Sequence, residues 1–109
     1  MTTYLLAFRA PADYHPSAET AAAWPAWHQS LGASLKDRGN PIFRARTLGA
    51  EPGETVLGGY SLVRAANLDA AVALAKGCLG LGAGMSVEVG EVTNRDDAFD
   101  AWLAEHPQG

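Results

Sequence analysis

The stretch from Gly58 to Val92 constrains this chain most. It reads GGYSLVRAANLDAAVALA, passes through a glycine-rich join from Lys76 to Gly84, and ends in MSVEVGEV: a strand, a helix and a strand in succession. From Leu57 to Arg64, Tyr60 and Leu62 alternate with Ser61 and Val63, a period-two pattern rich in strand formers. Asn67 stands where an N-cap belongs, and Asp69 in the first turn suits the positive end of a helix dipole. Leu68, Ala71, Val72 and Ala75 then recur at helical spacing, so one face of a short helix is apolar and needs a sheet to cover. Gly77 is placed to take the left-handed conformation that stops such a helix. Beyond the glycines, Met85, Val87 and Val89 alternate with Ser86, Glu88 and Gly90, as in a strand with one dry and one wet face. The phase breaks at Gly90, which predicts a bulge or a strand end there.

The remaining segments complete one sheet around this unit. Thr3 to Arg9 reads as a strand with Tyr4, Leu6 and Phe8 on one side and Leu5 and Ala7 on the other; apolar residues on both faces predict a central strand covered twice. Pro11, Asp13, His15 and Pro16 make a loop, and Ser17 can cap the helical segment after it. Ser17 to Arg38 has helical composition, but Pro25 lies inside it and costs about 3 kcal/mol in a helix interior. A break or kink near Trp24 is therefore expected, either as a second helix starting at Pro25 or as one bent helix. Trp24, Trp27, His28, Leu31 and Leu35 fall on one stripe, and Gly39, Asn40 and Pro41 terminate it. Ile42 to Leu48 alternates like a strand with a wet face. Glu51 to Glu54 carries the proline–glycine pair of a type II turn, which would fold this strand back on the Leu57 strand as an antiparallel hairpin.

The order is thus strand, helix, hairpin, helix, strand, an α+β chain of the ferredoxin-like, split βαβ kind with a four-stranded antiparallel sheet. Past Val92, Thr93 or Asn94 can cap a last helix in which Phe99, Trp102 and Leu103 share a face opposite Asp96, Asp97, Asp100 and Glu105. Residues 1–92 form the domain, and residues 93–109 are a C-terminal helical extension. Helices on one face of a four-stranded sheet leave the other face bare, and either Val87 and Val89 or their alternating neighbours must be buried somewhere. A homodimer is the expected solution.

Composition narrows the function by exclusion. A net charge of −4 lacks the basic footprint that nucleic acid or an anionic membrane requires of its partners. No run approaches the ~20 apolar residues that span a bilayer, and MTTYLLAFRA is better spent as a strand than as a signal peptide. One cysteine excludes an internal disulfide and fits a reducing compartment, so a cytoplasmic location is expected. His15, His28 and His106 are scattered and no metal-ligand spacing occurs, so no metal and no cofactor are expected. Gly80, Gly82 and Gly84 come after a helix and precede a strand, the reverse of a phosphate-binding loop.

The pieces AWPAWHQSLGASLKDRGNP (Ala23 to Pro41), GGYSLVRAANLDAAVALA and MSVEVGEV resemble the YCII-related, DGPF-domain family of small bacterial proteins. The likeness spans about residues 3–92, and its best motif is the glycine–tyrosine strand leading into an Asn-Leu-Asp-Ala helix start. The resemblance implies a dimeric α+β barrel, in which two ferredoxin-like sheets pack face to face with helices outside. It also implies, from the few members with a His–Asp pair in a cleft, lyase- or dehydrochlorinase-like chemistry, with His28 at the position of the family histidine. The aspartate has no counterpart, Gly77 and Cys78 standing near its expected place. Pro25 replaces an arginine one turn before the histidine, and Glu51 to Glu54 (EPGE) stands in the region of the DGPF tetrapeptide.

Candidate chemistry centres on His28, because an imidazole on an apolar stripe can titrate near neutrality and serve as general acid or base. The plainer reading is a partly buried histidine with a satisfied hydrogen bond. Trp24 and Trp27 can wall a pocket for a planar ligand, although aromatic residues at helical spacing are more often core or interface. Tyr60 and Tyr4 can offer hydroxyls to the same helix–sheet cleft, and Arg9 can hold a carboxylate bidentately. Cys78, at a helix C-terminus where a thiolate is disfavoured, reads as inert. These residues admit two functions. One is a cofactor-independent lyase or isomerase acting on a small organic acid or aromatic, with His28 moving the proton and Arg9 or Tyr60 orienting the substrate. The other is a non-catalytic dimeric module that binds a small ligand or a protein partner.

Overall fold

Strand β1, Thr2–Pro11, is the axis of the molecule. In the computed structural model, which describes residues 1–15, 17–50, 53–78, 81, 84–93 and 95–107, β1 is flanked by β3 (Thr55–Ala65) and β4 (Ser86–Val92), both antiparallel to it. A short β2, Leu35–Asp37, adds antiparallel to β3. The result is a four-stranded sheet in the order β2-β3-β1-β4. Helices α1 (Ala18–Ser30), α2 (Leu68–Ala75) and α3 (Arg95–Glu105) complete an α+β chain. No helix among the described residues is long and apolar enough to cross a membrane.

The period-two pattern sorts the side chains by face. Tyr4, Leu6, Phe8 and Ala10 of β1 are buried, while their neighbours are half-buried. On β3, Ser61, Val63 and Ala65 face the same way as this buried set, since Leu6 pairs with Ser61 and Tyr4 with Val63. Trp27 of α1 and Ala71 and Ala75 of α2 join them in one core, with Val87 and Val89 of β4 packed against it. Both helices therefore lie on one face of the sheet. The molecule is 19 Å through its thinnest direction, as one sheet and one helix layer require. The expectation that β1 is covered twice fails within a single chain: Leu5 and Ala7 face the other side and stay half-buried.

Several boundaries differ from the sequence reading. Of the two solutions expected at Pro25, helix α1 takes the single helix and has no break there. Pro25 and Ala21, the residue whose carbonyl the proline deprives of its helical partner, are both exposed, so the proline lies on the solvent side of the helix, where a lost bond costs least. It ends at Leu31, well before Arg38, because Gly32 takes φ +55°, the left-handed position that closes a helix. Leu35 consequently belongs to β2 and not to the helical stripe. Ile42 to Leu48 forms no strand; after the Pro41–Gly59 bridge and the Ile42 N–H to Gly58 carbonyl bond, the chain peels away from β3.

Gly77 does not adopt a left-handed conformation: α2 closes with Lys76 still right-handed. It is a glycine for space, since a Cβ there would lie 2.9 Å from Trp27 Nε1. Strand β4 passes through Gly90 with unbroken register against β1; the irregularity lies instead between β1 and β3, at Phe8/Arg9 opposite Gly58 and Gly59. Asn67 caps α2 as expected, its Oδ1 accepting from the Ala70 N–H at 2.8 Å, and Ser17 caps α1 through Thr20 N–H at 3.0 Å. The expected roles of Pro16, the Glu51–Pro52 half of the turn, Gly80, Gly82 and Asn94 lie outside the described residues, as does the Phe99 side chain. Trp102 and Leu103 of α3 are exposed, and Trp102 stacks on His106 with centroids 4.1 Å apart.

Candidate functional site

Helical spacing carries Trp24, Trp27 and His28 to the side of α1 that meets the sheet. Trp27 is buried; Trp24 and His28 are half-buried. Phe8 of β1 meets both indoles edge-on, at centroid distances of 5.3 Å to Trp24 and 6.2 Å to Trp27, and the indoles meet each other at 5.5 Å. The imidazole of His28 leans on this cluster, 5.0 Å from Trp27 and 5.9 Å from Trp24. The two tryptophans thus pack on each other and on Phe8, the arrangement in which aromatic quadrupoles are favourably placed.

The partner of His28 is Ser61, a residue the sequence reading did not single out. His28 Nε2 lies 3.1 Å from Ser61 Oγ. Ser61 is 1% exposed, and its hydroxyl donates to the Arg38 carbonyl at 2.7 Å. With its one hydrogen committed, the serine accepts from His28, so Nε2 carries a hydrogen and a neutral ring keeps its lone pair on Nδ1. Burial, and then the positive charge of Arg38, hold the imidazole pKa below its ordinary value; the Trp24 carbonyl one turn back, an acceptor for the protonated ring, opposes them. The ring is therefore neutral at pH 7. The signal for Ser61 was its place in the Ser61/Val63 set: a polar side chain on a dry strand face has to find partners.

The other expected site residues lie elsewhere. Tyr60 and Arg9 point to the opposite face of the sheet from His28, because each alternates with a core residue. Arg9 is engaged there, Nε donating to Thr55 Oγ1 and Nη2 to the Thr55 carbonyl, both at 3.0 Å. The Tyr60 hydroxyl accepts from Asn40 Nδ2 at 3.2 Å. Tyr4 shares the His28 face but belongs to the core, its pKa raised by burial and by the charge of Glu91. Cys78 is buried in the same core.

A concave surface of about 260 Å³ does exist, away from His28, between α2 and β4, where Leu68, Val72, Lys76, Leu81, Val87 and Val89 line it. Among the described residues, no group of three or more His, Cys, Asp or Glu side chains gathers as metal ligands would. What remains at His28 is one imidazole whose Nε2 meets the protein's own Ser61, set against the aromatic wall of Trp24 and Trp27. No protein-family model matches the chain, and no curated protein matches it.

Proposed function

We propose that the chain is a non-catalytic module that dimerises through the bare face of its sheet and holds a small ligand or a protein partner. One observation carries this reading: both core helices occupy one face, while the other presents Leu5, Ala7, Tyr60 and Leu62 as a half-buried apolar row. A sheet with an apolar face must bury it against another layer. The β-α-β-β-α-β element order and the antiparallel order β2-β3-β1-β4 support a ferredoxin-like unit, and two such sheets meeting face to face make the α+β barrel that the resemblance to YCII-related proteins implies. Arg9 and Tyr60 then line the space between the sheets, where the guanidinium suits a small anionic ligand.

Native mass spectrometry and sedimentation velocity test this. Wild-type protein is expected as a dimer at micromolar concentration, and Leu62→Glu as a folded protein whose association is at least tenfold weaker. A wild-type monomer at tens of micromolar would remove the reading.

A second function keeps His28 as the acid/base of a lyase or isomerase. It is favoured by one observation, a half-exposed imidazole kept neutral and able to accept a proton beside Trp24 and Trp27. NMR titration of the imidazole separates the two: a pKa that moves with added ligand supports the enzyme, and a ring indifferent to ligands supports the module. Turnover of any substrate unchanged by His28→Ala would end the catalytic reading.

A further inference from the structure

Residues 42–48 have the alternation of a strand and, among the described residues, no strand to pair with. Phe43 is 88% and Leu48 94% exposed, values at which large apolar side chains contribute nothing to the fold of their own chain. Beyond Ile42 no backbone hydrogen bond among the described residues ties this segment down. At the opposite side of the sheet, β4 is an edge strand, with no strand paired to its outer side among the described residues. Such an edge is a template for an extended segment.

The two fit each other in pattern and in charge. On β4, Val87 and Val89 face the helix layer and, with Val72, line the apolar groove of about 260 Å³ beside that edge. Ser86 and Glu88 alternate with them and face the other way. On the 42–48 segment, Phe43 and Ala45 alternate with Arg44 and Arg46. If Phe43 takes the groove side, strand periodicity places the two arginines on the side of Glu88. We propose that residues 42–48 are an arm that adds as a strand to the outer edge of β4 in a second copy of this chain, with Phe43 seated in the α2–β4 groove and Arg44 and Arg46 beside Glu88. In a face-to-face pair whose two-fold axis runs along the strands, the β2 edge of one sheet overlies the β4 edge of the other. Arm and sheet face can then serve one dimer, although the arm contact does not depend on the sheet contact.

Pairwise cross-linking and charge reversal test the arm. Mixing Arg44→Cys protein with Glu88→Cys protein under mild oxidation is expected to give a covalent mixed dimer in excess over either variant alone. Arg44→Glu/Arg46→Glu and Glu88→Lys are each expected to weaken association at least tenfold by sedimentation, and mixing the two variants to restore it; all of these positions are exposed, so circular dichroism should stay unchanged. A dimer that yields no mixed disulfide, or whose association ignores the charge reversals, overturns the proposal. Leu62→Glu is the control that keeps the two contacts apart: it attacks the sheet face and leaves the arm and the β4 edge intact.

Discussion

Ser61 is the residue on which the polar interior turns. Its hydroxyl is buried between His28 Nε2 and the Arg38 carbonyl, so Ser61→Ala takes a partner from each of them. The expected loss is about 1–3 kcal/mol, the cost of an unsatisfied buried group, read from urea denaturation. His28 makes a separate, signed prediction. Its pKa is depressed in the folded protein, first by burial and then by Arg38, so at low pH the unfolded chain binds more protons than the native one. Its contribution to stability is complete above the ordinary histidine value of about 6.5 and is lost as pH falls below it. Denaturation midpoints should fall between about pH 7 and 5, and His28→Gln should flatten that dependence; a wild-type profile already flat there would refute it.

At the scale of elements, two glycines hold pieces of the fold together by what they lack. A Cβ on Gly77 would press on the Trp27 indole at 2.9 Å. The ring is buried and pinned by Phe8 and Trp24, so Gly77→Ala should cost about 1–3 kcal/mol, as overpacking does, with a shift in tryptophan fluorescence. Gly39 stands at φ +73° where a Cβ would collide with the Tyr60 carbonyl. Gly39→Ala combines strain with collision and should cost more than about 1 kcal/mol. Hydrogen exchange should show the loss concentrated in β2 and the 40–42 crossing.

These same elements show what could be read in advance. β1, β3, α2 and β4 announced themselves because alternation, an Asn cap and helical spacing agreed over their lengths. The end of α1 did not, because Leu31 and Leu35 are spaced as if on one helix face while Gly32 between them reverses the backbone. β2, at three residues, is too short to show a period. Ile42 to Leu48 does show one, and sequence cannot tell a paired strand from an unpaired one. His28 was legible as a candidate from its stripe; its partner required knowing which β3 face is dry, and that the Arg38 carbonyl turns back over it.

Taken whole, the molecule is one sheet with a helix layer on one side and an unfinished surface on the other. The residue row Leu5, Ala7, Tyr60 and Leu62 makes that surface apolar, and Arg9, bonded to Thr55, puts a positive charge beside it. The placement of β1 has a further consequence for how the chain comes to be folded. The strand at the centre of the sheet is made first, yet Thr3 pairs with Arg64 and with Val92. While the chain is being synthesised, β1 must wait for its first partner until β3 has emerged, and for its second until β4 has. Its apolar side chains on both faces make that interval the one in which the chain is most exposed to aggregation. Refolding should belong to the millisecond-to-second class of long-range antiparallel topologies, and a holdase supplied during translation should raise the soluble yield more than one added after it.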